Sequence, residues 1–244
     1  EKIVKYVNSR GVAELLEAFH KSYARMGIDL LPEDMLITHG GSEALMFTLA
    51  TICNPGDEVL VPEPYYSNYD SFLKSADAHL VPIETSLENH YHLPSEEEIV
   101  KLINPKTKAI MFSNPGNPTG IVYTFKEMNM LVEIANEHDL WIITDEVYRQ
   151  FIYDKNVEYK SFMNIPEVKN STILIDSISK HYSACGARIG VIGSKNKEFI
   201  DQALKLCQAR LSVSTIEQYA TANLVNTLDT YLEEVKLEYR VRRD

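Results

Sequence analysis

The chain has 244 residues, 45% hydrophobic and 24% charged, and its 35 acidic against 24 basic residues leave a formal net charge of −11. That composition excludes a disordered or fibrous chain, and the acidic balance argues against a nucleic-acid partner, because Arg240, Arg242 and Arg243 form the only dense basic cluster. No apolar run approaches the roughly 18 residues of a membrane span, Glu1-Lys2 does not begin a signal peptide, and Cys53, Cys185 and Cys207 lack the spacing of a disulfide framework or zinc site. The expectation is a soluble, cytoplasmic protein with no membrane partner.

Val12, Leu15, Leu16, Phe19, Tyr23 and Met26 recur at helical spacing, which predicts a helix over about 11 to 26. Apolar runs follow at Met35–Thr38, Glu58–Val61, Ala78–Val81, Ala109–Phe112, Trp141–Thr144, Thr172–Ile175 and Ile189–Ile192. Several are continuously apolar, as parallel strands covered on both faces must be. Ser95 with Glu98, Thr124 with Glu127 and Ser214 with Glu217 each fit the capping box that opens a helix. Strands alternating with helices predict an α/β fold, a mostly parallel seven-stranded sheet with helices on both faces. From Leu228 to Asp244 the pattern is helical (Leu228, Tyr231, Leu232, Val235, Tyr239) and carries no stop signal.

Ligands of open α/β sheets bind beyond the carboxyl ends of the strands, so the residues after each run are a site search. After Thr38 comes His39-Gly40-Gly41-Ser42-Glu43, a phosphate cradle or a plain glycine turn with Ser42 as N-cap. After Val61 come Tyr65, Tyr66 and Tyr69, an aromatic plate or a core-packed loop. After Phe112 comes Ser113-Asn114-Pro115-Gly116-Asn117-Pro118-Thr119-Gly120, whose two Asn-Pro pairs impose an irregular turn. After Thr144 comes Asp145-Glu146-Val147-Tyr148, a carboxylate that needs a cation or serves as a helix cap. After Ile175 come Ser177 and Lys180, then Arg188. A lysine at a strand exit is suited to Schiff-base chemistry, and an arginine fork fits phosphate. Each has a bland alternative, but together they describe a site for an aromatic, phosphorylated aldehyde with a basic ring nitrogen, pyridoxal 5′-phosphate.

At these residues the chain resembles the fold-type I pyridoxal-phosphate enzymes, and among them the class I/II aminotransferases similar to aspartate aminotransferase. The resemblance runs from about Tyr6 to Arg188 and more loosely beyond. Its most specific parts are Asn114 to Gly120, Asp145-Glu146-Val147-Tyr148, and Ser177-Ile178-Ser179-Lys180 with Arg188 eight residues on. It implies that Lys180 is the Schiff-base lysine and proton shuttle, that Asp145 holds the ring nitrogen protonated, and that Tyr148 and Asn117 contact the ring oxygen. Tyr66 would stack on the ring. The backbone of Gly41, Ser42 and Glu43 would bind the phosphate, with the side chains of Ser177 and Arg188. Tyr6 would reach the phosphate of a neighbouring subunit, which implies a homodimer with shared active sites.

The implied reaction moves an amino group from an L-amino acid to a 2-oxo acid. A carbon-sulfur β-lyase sharing the motifs is the alternative, as is a non-catalytic cofactor-binding fragment. The same resemblance implies a cofactor-binding large domain over 1–228 and, over 229–244, the start of a helix leading into a small domain that is largely missing. No position matches the arginine that binds the substrate α-carboxylate in such enzymes. Metal binding is not expected, since His90 and His92 lack a nearby third ligand, and Cys185 reads as a small buried residue.

Overall fold

The computed structural model describes residues 3–154, 156–226 and 230–244. Leu228, the Glu1-Lys2 pair and the expected domain boundary at 228/229 lie outside the described residues. One seven-stranded sheet organises the chain, with strands β1 (Met35–His39), β2 (Glu58–Glu63), β3 (His79–Glu84), β4 (Thr107–Ser113), β5 (Trp141–Asp145), β6 (Thr172–Ser177) and β7 (Ile189–Gly193). Their order is β1-β7-β6-β5-β4-β2-β3, and β7 alone runs against its neighbours. All seven expected strands form, most of them longer than their apolar runs. Residues such as Asp145 and Ser177 extend the ladder although they are polar, because their backbone still pairs. At the sheet edge, β3 passes through Pro82, a position where a missing N–H costs no internal ladder bond.

Among the described residues there are eight α-helices: α1 (Ala13–Ala24), α2 (Gly40–Ile52), α3 (Asn68–Ser75), α4 (Glu96–Val100), α5 (Phe125–Glu137), α6 (Lys197–Arg210), α7 (Thr215–Val225) and α8 (Thr230–Arg243). Strand residues divide between the faces with period two. Leu36, Met111, Ile143, Ile175 and Ile192 pack with α2, α3 and α6. Their chain neighbours Met35, Ile37, Leu174 and Val191 pack with α1 and α7, while Ile110, Phe112 and Ile142 pack with α5.

Two capping boxes form as expected. Ser95 and Thr124 each accept the N3 backbone N–H and receive the reciprocal Glu98 or Glu127 carboxylate. The third differs. The Ser214 hydroxyl donates to the Glu217 carboxylate and makes no bond to the backbone, so α7 starts without the side-chain cap its sequence promises. The first helix begins at Ala13, because Gly11 sits at φ 133°, where its missing Cβ leaves room for Ile37. Among the described residues no helix is long and apolar enough to cross a membrane.

Candidate functional site

The carboxyl ends of β1, β4, β5 and β6 meet at one edge of the sheet, and a cleft of about 150 Å³ lies there. The reversed β7 matters for this. Since β6 and β7 are antiparallel neighbours, the chain leaves β6 at Ser177 and returns at Ile189 on the same edge, so Lys180 and Arg188 are both delivered to it. Pairing of β1 with β7 in turn sets His39 opposite Ile189, beside Arg188. The cleft is lined by Gly41, Ser42, Tyr66, Asn117, Asp145, Tyr148, Ser177, Lys180 and Arg188, nine of the eleven residues that the sequence nominates.

At one end lies the first turn of α2, capped by His39, whose backbone N–H is taken by the Glu43 carboxylate at 2.8 Å. The N–H groups of Gly41 and Ser42 belong to the first turn, which the helix itself leaves without partners. The αL turn is at Gly40, φ 73°, and Ser42 is not the cap. Close packing explains the glycines here. A Cβ on Gly190 would sit 2.4 Å from the Gly40 carbonyl carbon, and one on Gly40 would strike the Arg188 guanidinium at 2.4 Å. Arg188 therefore presses against the helix start, donating to the Cys185 carbonyl at 2.9 Å and the His39 carbonyl at 3.4 Å.

At the other end Asp145 closes β5, 7% exposed. Tyr69 donates its hydroxyl to one carboxylate oxygen at 2.9 Å, and the Val147 N–H reaches the other at 3.3 Å. Burial, opposed by the Tyr69 bond, pushes its pKa up to about 6. The helix-cap alternative does not hold, because a turn over 147–150 and not a helix follows Asp145, and no cation pairs with it among the described residues. Tyr66 stands edge-on to Tyr69, ring centroids 5.5 Å apart, while Tyr65 does not line the cleft and packs against the core. The Lys180 ammonium lies 5.6 Å from the centre of the Tyr148 ring. Ser113 accepts the Asn117 N–H at 2.8 Å, fixing the turn in which the Asn114–Pro115 and Asn117–Pro118 peptide bonds are cis.

Two nominated residues are not brought into this cleft. Tyr6 is 79% exposed on the chain's surface. Glu43 is the first residue whose N–H the helix consumes, and its carboxylate is engaged by His39 and by Arg210 at 3.3 Å. Cys185 also departs from expectation, being exposed at the cleft wall. His92 pairs with both Glu127 oxygens at 3.0 Å. What motif reading missed is the bond of Tyr69, expected only as part of an aromatic plate, to Asp145, and the hold of Ser113 on Asn117. For Tyr69 a signal existed, since its three-residue step from Tyr66 puts both rings on one side of a helical turn.

The family model of aminotransferase class I and II matches residues 1–243. The chain belongs to that family. It is 31% identical to the aspartate/prephenate aminotransferase of Thermus thermophilus, over 98% of the chain and 62% of the relative, and 32% identical to the aspartate aminotransferase of Bacillus subtilis, over 98% and 61%. The solved aspartate aminotransferase from Thermus thermophilus with maleate superposes with a TM-score of 0.92 at 32% identity, covering 99% of the chain and 63% of that structure. The aromatic aminotransferase from Pyrococcus horikoshii gives 0.92 at 29% identity, covering 98% and 65%. The chain thus spans about three-fifths of the length of the curated relatives it matches. Membership implies pyridoxal 5′-phosphate as the cofactor.

Proposed function

We propose that this chain is the cofactor-binding part of a pyridoxal 5′-phosphate-dependent aminotransferase that moves an amino group from an L-amino acid to a 2-oxo acid. The chemistry of the donor set fits the cofactor. Free helix N–H groups, a hydroxyl and a guanidinium at one end suit a phosphate. A carboxylate buried without a cation at the other suits a protonated pyridine nitrogen, and neither Lys180 nor Arg188 has an acidic ion-pair partner among the described residues. The observation that carries the proposal is that one cleft holds the Lys180 amine and the Asp145 carboxylate between an aromatic ring and an anion-binding end.

When bound, pyridoxal 5′-phosphate supplies an electron sink that stabilises negative charge at the substrate α-carbon. In this reading Gly41, Ser42, Ser177 and Arg188 hold the phosphate, and Tyr66 covers the ring face. Asp145 keeps a proton on the ring nitrogen. A carboxyl raised to about 6 is ionised at neutral pH, so it meets the ring as an anion. Tyr148 and Asn117 donate to the ring oxygen. Lys180 attaches the cofactor through its amine and, once displaced by substrate, carries the proton at its Nζ. On this reading 1–228 is the cofactor-binding unit and 229–244 leads toward a smaller domain, with α8 (Thr230–Arg243) as its described helix. We further propose a cytoplasmic homodimer, in which the exposed Tyr6 serves the neighbouring subunit; three free cysteines are compatible with a reducing compartment. The names of the relatives favour amino transfer over elimination.

Borohydride reduction of the chain loaded with cofactor should place the mass of the reduced cofactor on Lys180 and nowhere in Lys180→Ala. Label on another lysine, or in that variant, refutes the assignment. A panel of amino donors and oxo acceptors tests the reaction: conversion that requires a 2-oxo acid supports transfer, whereas ammonia released without one points to elimination.

A further inference from the structure

Behind the cleft, the three segments that line it carry a second set of residues facing the other way. Chain neighbours alternate: Ser177, Tyr148 and Lys180 line the cleft, while Asp176, Arg149 and His181 are buried at 0%, 6% and 2% exposure. Strand alternation accounts for the first pair, since Asp176 shares the face of Leu174, packed with α1. Asp176 accepts the Tyr23 hydroxyl of α1 at 2.7 Å, the Arg149 guanidinium at 2.7 Å and the Ser177 N–H at 2.8 Å. Arg149 also donates to the Glu146 carbonyl at 3.2 Å and lies 5.5 Å from the centre of the Tyr23 ring. One buried ion pair therefore bridges the loop after β5 and the end of β6.

We propose that Arg149 and Asp176, braced by Tyr23, are positioning residues that hold the loop of Asp145 and Tyr148 in register with the segment of Ser177 and Lys180. The geometry leaves little else for them to do. Neither touches the cleft, and a buried ion pair is weak evidence for stability, often replaceable by apolar residues without loss. What an ion pair does supply is direction. The Asp176 carboxylate binds the adjacent Ser177 N–H and Arg149 at once, so a shift of either segment breaks a charged, desolvated contact. A cofactor that must be touched from both segments requires that register. This inference rests on the reading of Ser177, Tyr148 and Lys180 as cofactor-binding.

The test is amide hydrogen exchange on the chain without cofactor, followed by titration with pyridoxal 5′-phosphate. Arg149→Met should speed exchange at Ser177–His181, and Asp176→Asn should speed it at Glu146–Gln150, each by roughly tenfold or more, as a lost sub-global contact does. Ile134→Ala in α5, a destabilised control remote from the pair, should do neither at matched melting temperature. Should Arg149→Met not fold, Tyr23→Phe removes only the hydroxyl and should loosen Ser177–His181 by a smaller factor. Cofactor affinity should weaken about tenfold or more in the pair variants, and Arg149→Lys should restore part of it. If each substitution loosens only its own segment, or both segments loosen while affinity is unchanged, the proposal is overturned. An unaltered chain that takes up no cofactor refutes the functional reading instead, and cross-segment exchange still supports the register.

Discussion

Asp145 and Asp176 end neighbouring parallel strands, one register step apart and on opposite faces of the sheet. Both are buried, both receive a tyrosine hydroxyl from a helix, and both accept one backbone N–H. The difference is an arginine. Arg149 pairs with Asp176 and, against the desolvation that raises it, holds its carboxyl below the usual range; Asp145 has no such partner and is pushed up to about 6. At Asp176 the chain supplies the counter-charge itself. On the cleft face it leaves a carboxylate in want of a cation, as sites that bind a charged group commonly do.

The most disruptive way to break this contrast is Arg149→Met, which would leave Asp176 as a buried, unpaired charge. It should cost about 3–5 kcal/mol in urea unfolding. Adding Asp176→Asn should recover most of that loss, because a neutral pair of similar volume avoids the stranded charge. Equal and additive losses in the double-mutant cycle would show that the two side chains do not act as a pair.

Asp145→Asn should act in the opposite sense. The folded chain holds the Asp145 proton more tightly than the unfolded chain, so its stability falls as pH rises through the window up to about 6 and is flat above it. The rise from the ordinary aspartate range to about 6 is worth about 3 kcal/mol, so without cofactor the variant should gain about that much at pH 8 and roughly half at pH 5. With pyridoxal 5′-phosphate bound, the gain should vanish, since the proposed ring cation then pairs with the carboxylate. An equal gain in both states would count against contact between Asp145 and the ring. Glu146, pushed up by burial to about 7, should show the same sign on Glu146→Gln, with no response to cofactor.

This asymmetry explains which features could be read from the sequence. Asp145 and Lys180 were legible because they follow an apolar run, where a charged residue announces a strand exit, and Arg188 because it stands just before the next run. Strand positions were legible for the same reason, though β2 to β6 extend into polar residues that hydropathy marks as loop. Arg149 and Asp176 were not legible as partners. They are far apart in sequence, and only the β5–β6 register brings them to 2.7 Å. The Glu43 backbone looked available because GGSE reads as a loop; the structure starts α2 at Gly40, and the helix uses that donor itself. At Ser214 the local pattern was right and the geometry chose otherwise, the hydroxyl binding a carboxylate where a backbone bond was expected.

The finest test compares the two tyrosines. Tyr69→Phe and Tyr23→Phe each remove one buried hydroxyl that donates to a carboxylate, and each should cost about 1–2 kcal/mol at pH 8. Their pH dependences should part. The Tyr69 hydroxyl favours the charged form of Asp145, so its loss raises that pKa further and extends upward the window in which stability falls. At pH 5 Asp145 is already mostly protonated, and the cost of Tyr69→Phe should shrink. Arg149 keeps Asp176 ionised throughout this range, so the cost of Tyr23→Phe should be the same at pH 8 and pH 5. Urea unfolding at the two values decides it. A Tyr23→Phe cost that shrinks alongside that of Tyr69→Phe would mean that Arg149 does not fix the charge of Asp176, and the distinction between a carboxylate the chain pairs itself and one it leaves for a ligand would fall with it.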